Sequence, residues 1–185
     1  MSAKARSKRE HILKSAMQLI LTVDFKALTL DAVAKEAGVS KGGLLYHFPS
    51  KDALLQGITV HIFDQYTEMF HSYADQDSRK HGKWCRAYIQ ASRQDLKKHD
   101  GILNVGVMSA ALLEPLFVES LNNSYAYWFG KMSEDGLDPI TVNLIRLAID
   151  GLYYSDMYKI KPLADADLDA VIDRLMKLTE KGETT

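Results

Sequence analysis

The chain has 185 residues, 46% of them hydrophobic and 25% charged, with eleven Gly and four Pro. That length allows one or two small domains with a real core, and that balance excludes a disordered, collagen-like or linker-dominated chain. The formal net charge of −1 hides a split: residues 1–52 carry nine Lys/Arg against five Asp/Glu, a balance of +4, and residues 53–185 carry fourteen against nineteen, a balance of −5. A basic first quarter on an acidic remainder suggests an anion-binding module attached to something else. The single cysteine, Cys85, excludes an internal disulfide, which fits a reducing, cytoplasmic setting. No apolar signal-peptide run follows the basic start, and the uncharged run over 101–113 is shorter than the ~20 residues of a membrane-spanning helix. No membrane partner is expected.

Apolar residues recur at spacings of three and four almost throughout, so the expected fold class is all-α. The first helix is expected over 8–23, with Ile12, Leu13, Ala16, Leu19, Ile20 and Val23 as its apolar stripe. Thr29 is an N-cap for a short second helix carrying Leu30, Val33, Ala34 and Ala37, and Gly38 stands where a helix end wants a left-handed residue. Ser40 caps a third short helix with Leu44 and Leu45, and Pro49-Ser50 ends it. A fourth helix follows over 51–74 and a polar loop over 75–82. Further helices are expected over 83–98, 102–113 and 117–132. Asp138-Pro139 opens another, running to Tyr158, and Lys161-Pro162 breaks it. Asp165 or Asp167 caps a final helix through Leu178, and residues 181–185 are expected to be disordered.

The specific signal is the stretch over 29–51, TLDAVAKEAGVSKGGLLYHFPSK. Two short helices meet at Gly38-Val39-Ser40, small Ala34 lets them cross closely, and Val39 and Leu44 plug the space between them. That is the layout of a helix-turn-helix, whose second helix projects residues 40–43 into a major groove. Gly42 and Gly43 each cost ~1 kcal/mol against Ala in a helix interior, and glycine allows close approach of a backbone to a ligand surface. Lys and backbone N–H groups at a helix start suit phosphates, whose contacts set register. Lys4, Arg6, Lys8 and Arg9 read as a flexible basic arm, able to add charge contacts or enter a minor groove, or else as a solvated tail.

Over residues 9–55 the sequence resembles the tetracycline-repressor (TetR) family of transcriptional regulators. The likeness rests on the first helix, on Thr29-Leu30-x-x-Val33-Ala34, on Ala37-Gly38-Val39-Ser40-Lys41-Gly42, on Leu44, and on His47-Phe48-Pro49-Ser50-Lys51. The resemblance implies an N-terminal three-helix DNA-binding domain with a helix-turn-helix, set at 1–52, and a C-terminal helical ligand-binding and dimerisation domain at 53–185. It implies that Thr29, His47 and Lys51 touch phosphates, that Ser40, Lys41, Gly42 and Gly43 face the groove, and that Leu44 and Phe48 are core. The family usually has a phosphate-contacting tyrosine where this chain has Leu45. Tyr46, next door, is the candidate to replace it.

In the second domain, Trp84, Tyr88, Met108, Phe117, Tyr125, Trp128, Phe129 and Tyr153 are candidate ligand-binding residues, because sites between helices are often lined by aromatics and Met. They suit a small apolar or aromatic effector, and such residues are as readily plain core. The dimer seam implied by the resemblance uses Leu144, Leu147, Ala148 and Gly151 with Leu168, Val171, Ile172 and Leu175. The expected function is a sequence-specific DNA-binding regulator, a homodimer released from a palindromic double-stranded operator by the effector, and not an enzyme. Two alternatives share the composition. One is a helical enzyme or metal-binding bundle, pointed to by Glu68-x-x-His71 with His61 on the same side. That motif has no second copy, as a di-iron bundle needs, so no metal or other cofactor is implied. The other is a helical protein-interaction module without DNA binding, which leaves the helix-turn-helix spacing unexplained.

Overall fold

A computed structural model describes residues 3–23, 28–97 and 115–180. Among them are eight helices and no strand: α1 (Ala3–Thr22), α2 (Leu30–Glu36), α3 (Lys41–His47), α4 (Lys51–Gln76), α5 (Lys83–Lys97), α6 (Pro115–Ser133), α7 (Pro139–Met157) and α8 (Asp165–Leu178). The all-α expectation holds. The helix expected over 102–113 and the tail 181–185 lie outside the described residues.

The described residues divide into two compact units, with one border at Phe63/Asp64 inside α4 and another at Leu121/Asn122 inside α6. The border expected after Asp52 falls short of this. Leu54, Ile58 and Ile62 on the first turns of α4 are buried, and Gly57 lets the helix approach Phe48 and Leu13, so those turns join the first unit's core.

In that unit α1 buries Ile12, Leu13, Ala16 and Ile20. Val23, expected on the same stripe, is 65% exposed, because the helix ends at Thr22 and Val23 falls beyond its last turn. The supposed flexible arm is helical from Ala3, a consequence of a stretch of Ala, Lys, Arg and Glu, interrupted only by Ser7, with good helix propensity. Arg9 is docked rather than free, its guanidinium 4.9 Å from the Phe48 ring centroid. The Thr29 hydroxyl oxygen accepts from the Ala32 N–H at 3.1 Å, capping α2. Gly38 at φ +61° ends it. Its N–H bonds to the Lys35 carbonyl and the Val39 N–H to the Ala34 carbonyl, the paired closure of a Schellman turn. Ser40 then caps α3 by accepting from the Gly43 N–H, and Ser50 caps α4 by accepting from the Ala53 N–H.

A Cβ built on Gly57 stands 2.6 Å from the Phe48 ring and 3.2 Å from Leu13. Gly57→Ala is therefore expected to cost about 1–3 kcal/mol by overpacking, despite alanine's better helix propensity. Denaturant unfolding reads this directly, and an unshifted midpoint would show that α4 can move off Phe48 freely.

In the second unit α5 contacts α7 and α8. Asp135 caps α5 from a distance in sequence, accepting from the Trp84 and Cys85 N–H groups at 3.0 and 2.8 Å. Arg86, only 2% exposed, ties three segments together. It donates to the Asp77 carboxylate at 2.5 Å, to the His81 carbonyl at 2.9 Å, to the Arg79 carbonyl at 3.1 Å and to the Thr179 carbonyl at 3.4 Å. Asp138 caps α7 as expected, accepting from the Ile140 and Thr141 N–H groups. The start of α8 differs from expectation. Its N-cap is Ala164 with no side-chain bond. Asp165 and Asp167 lie inside the first turn, where their charge still favours the helix dipole.

Candidate functional site

In the first unit the structure brings the expected polar residues onto α3 and its flanks. Lys41 and Gly42 on the first turn of α3 are exposed, and Tyr46 is 78% exposed with its ring 5.1 Å from that of His47. Leu44 and Phe48 are buried, holding the helix by its opposite face. Thr29 and Ser40 spend one lone pair as N-caps, and each hydroxyl keeps its proton for an outside acceptor. Lys51 opens α4 and is exposed. Burial, then the charges of Lys8 and Arg9, hold the His47 imidazole below its ordinary value.

Two features escaped the sequence reading. Lys8 stands close to α3, its ammonium 3.8 Å from the position of a Cβ on Gly43. Lys41 pairs with Asp31 of α2 at 2.9 Å, with both side chains well exposed. The ten-residue separation of that pair carries no local periodic signal.

The glycine pair separates into two cases. A Cβ on Gly43 meets the Ser40 hydroxyl at 3.1 Å, so any larger residue there disturbs the cap of α3. A Cβ on Gly42 meets nothing within 4 Å. Gly42 is therefore the position at which an effect on DNA is separable from one on the fold. Gly42→Leu is expected to leave thermal stability equal or higher, by up to about 1 kcal/mol, and to weaken operator binding in a gel shift through added bulk. Unchanged affinity would remove Gly42 from the contact surface.

In the second unit the candidate ligand residues fall into two aromatic groups. Tyr88, Tyr125, Trp128 and Phe129 join one cluster with Tyr66, at ring separations from 4.5 to 6.2 Å. Trp84 packs elsewhere, 5.0 Å from Phe70 and 5.4 Å from His71. Met108 and the side chain of Phe117 lie outside the described residues. The first cluster is edged with polar groups that periodicity did not mark. The Tyr125 hydroxyl donates to Asp150 at 3.0 Å and that of Tyr153 to buried Asp95 at 3.1 Å. Tyr66 and Ser92 share a hydrogen bond at 2.6 Å, and the Trp128 indole N–H donates to Thr67. Burial raises the Asp150 carboxyl, and the Tyr125 hydroxyl and the Arg146 charge pull it part of the way back.

Leu144 and Leu147 on α7 are exposed, as is Gly151, and Ala148 is half-buried. With Ile140, Tyr154 and Tyr158, also exposed, they form an apolar stripe at alternating spacings of four and three, the repeat of a helix seam. The apolar face expected as the α8 seam is covered within the single chain. Leu168, Ile172 and Leu175 are buried within the chain, and Val171 is half-buried. Helical periodicity identifies an apolar face without saying what covers it, and here α8 packs on α5 of its own chain.

Among the described residues no three His, Cys, Asp or Glu side chains come together as metal ligands. His71 hydrogen-bonds the Tyr127 hydroxyl at 2.6 Å, and Glu68 is exposed. Cys85 is fully buried and burial pushes its thiol up, the state of an unreactive core residue. No helix among the described residues is long and apolar enough to cross a membrane.

Comparison with known proteins matches residues 12–58 to the family described as bacterial regulatory proteins, tetR family, and residues 82–180 to the tetracyclin repressor-like C-terminal domain. A nucleoid occlusion factor SlmA from Shewanella amazonensis is 31% identical over 71% of this chain, which spans 66% of that protein's length. A TetR-family structure from Streptomyces coelicolor superposes with a TM-score of 0.71 at 18% identity, covering 91% of this chain and 97% of the other. The multidrug binding protein EbrR, solved with malachite green, superposes with a TM-score of 0.68 at 19% identity, covering 93% and 98%.

Proposed function

The chain belongs to the tetR family of bacterial regulatory proteins, and from that premise we propose that it is a sequence-specific DNA-binding transcriptional regulator, a cytoplasmic homodimer and not an enzyme. The observation that carries the proposal is the exposed face of α3, where Lys41, Gly42 and Tyr46 stand out from a helix anchored by buried Leu44 and Phe48. The first unit enters the major groove with α3, and Thr29, Ser40, Gly43, His47 and Lys51 surround it as phosphate and groove contacts. The partner across the two-fold axis is a second copy, seated on the exposed stripe of Leu144, Leu147 and Gly151. Two α3 helices then meet a palindromic operator about one helical turn apart, roughly 34 Å. A small-molecule effector in the second unit shifts the dimer away from that spacing by its differential affinity for the two states, which makes the regulator a repressor. EbrR, solved with malachite green, supports a small-molecule effector for this fold.

The test is binding of the purified chain to a palindrome flanking its own gene, measured against salt. Lys51→Ala is expected to weaken binding across sequences and to flatten the log–log salt slope by about one unit, the signature of one lost phosphate contact. Salt-insensitive or absent retention on duplex DNA would overturn the regulator reading. An unchanged slope for Lys51→Ala would remove that residue alone.

A further inference from the structure

A pocket of about 280 Å³ in the second unit is lined by Phe129 and Ser133 at the end of α6, by Leu137 before α7, and by Val142, Asn143 and Arg146 on α7. The Arg146 guanidinium lies over the Phe129 ring, 5.1 Å from its centroid. The Arg146 Nε is buried and has no hydrogen-bond partner. Among the described residues Arg146 makes no ion pair. Asp150, one turn along α7, feels the Arg146 charge but takes its hydrogen bond from the Tyr125 hydroxyl at 3.0 Å. An arginine stays charged at any ordinary pH, and a buried charged donor left unsatisfied is costly. A pocket edge is where an incoming anion can supply the missing acceptor.

We propose that this pocket binds a small organic carboxylate, with Arg146 as its counter-ion and Phe129 as the face that receives its apolar body. A guanidinium presents parallel N–H donors that match a carboxylate, and such charge-assisted bonds are about twice as strong as neutral ones. The remaining walls, Leu137, Val142 and the Phe129 ring, are apolar, whereas a free phosphate needs polar partners on several sides. Ser133, Pro139 and Asn143 complete the lining. The volume suits a ligand of one or two rings or a short chain. That this carboxylate acts as the effector rests on the regulator reading; its binding does not.

Calorimetric titration of the full chain with benzoate, benzamide and inorganic phosphate tests the site. Benzoate is expected to bind at least about tenfold more tightly than benzamide or phosphate. Arg146→Gln is expected to remove that preference and Arg146→Lys to keep part of it. The benzoate–benzamide comparison uses wild-type protein and stands even if Arg146→Gln fails to fold. Equal binding of benzoate and benzamide, tighter binding of phosphate, no binding of benzoate, or an Arg146→Gln variant that binds benzoate like wild type would each overturn the proposal. So would dissociation of the dimer by Arg146→Gln in light scattering, which would give Arg146 to the subunit contact. A gel shift on operator DNA without any ligand tests the regulator reading by itself, so the two failures are distinct.

Discussion

Asp77→Ala is expected to destabilise the second unit by about 3–5 kcal/mol, the cost of breaking a buried ion pair by removing one partner. The reason is what remains behind. Arg86 is 2% exposed, and without Asp77 its protons are left to the neutral carbonyls of Arg79, His81 and Thr179 and the Thr179 hydroxyl. Those bonds hold the 77–82 loop and the end of α8 against α5, so a misplaced guanidinium loosens three segments at once. At roughly 2–4 °C per kcal/mol for a chain of this length, calorimetry should read a fall in Tm of about 10 °C. A fall equivalent to less than 1 kcal/mol, an ordinary surface effect, would show that water replaces the carboxylate.

The pH dependence has a definite sign. Burial pushes the Asp77 carboxyl up, but hydrogen bonds from Arg86 and Arg79 outweigh it, and the group is held below the ordinary carboxylate range. A depressed native pKa contributes stability that is complete above the unfolded value, about 3.9, and is lost as the pH falls through the native value. The gap between wild type and Asp77→Ala should therefore be widest from about pH 5 upward and shrink in stronger acid. A gap that is constant with pH would mean that packing, not charge, sets the cost.

The double variant Leu144→Asp/Leu147→Asp is expected to be a folded monomer of 20.8 kDa with operator affinity lowered by about 10²–10⁴-fold, the loss of linkage between two half-sites. Both side chains are more than half exposed in the single chain, at 53% and 57%, so the substitutions leave its core alone. Two carboxylates facing their copies across a two-fold axis add like-charge repulsion and buried charge at the seam. Light scattering gives the mass and circular dichroism confirms the helix content. A variant that remains dimeric would move the interface off this stripe. One that is monomeric yet binds operator as tightly as wild type would separate dimerisation from DNA recognition.

How far these features were legible in the sequence depends on how local their causes are. Thr29, Gly38, Ser40 and Asp138 act within four residues of themselves, through side-chain caps and one left-handed backbone position. Their residue types therefore mark the helix ends. The start of α8 is not legible in this way, because an aspartate just inside a first turn and an aspartate that caps it look alike in one dimension. That the first unit extends into α4, to Phe63, is hidden in the sequence for a related reason: the approach of Gly57 to Phe48 and Leu13 joins residues that are not sequence neighbours.

By itself, then, the sequence determined the described helices, their apolar faces and the helix-turn-helix, which follow from propensity, spacing and short-range hydrogen bonds, and its motifs carried the likeness to the family. Only the tertiary structure decided what each face meets. It turned Leu168, Ile172 and Leu175 inward onto α5 while leaving Leu144 and Leu147 in solvent. It paired Lys41 with Asp31, buried Arg86 on Asp77, and left the Arg146 Nε without a partner beside Phe129. Periodicity specifies that an apolar stripe must be covered and a charge compensated; which group does so is a matter of distance in space, which the chain sets only when it closes on itself.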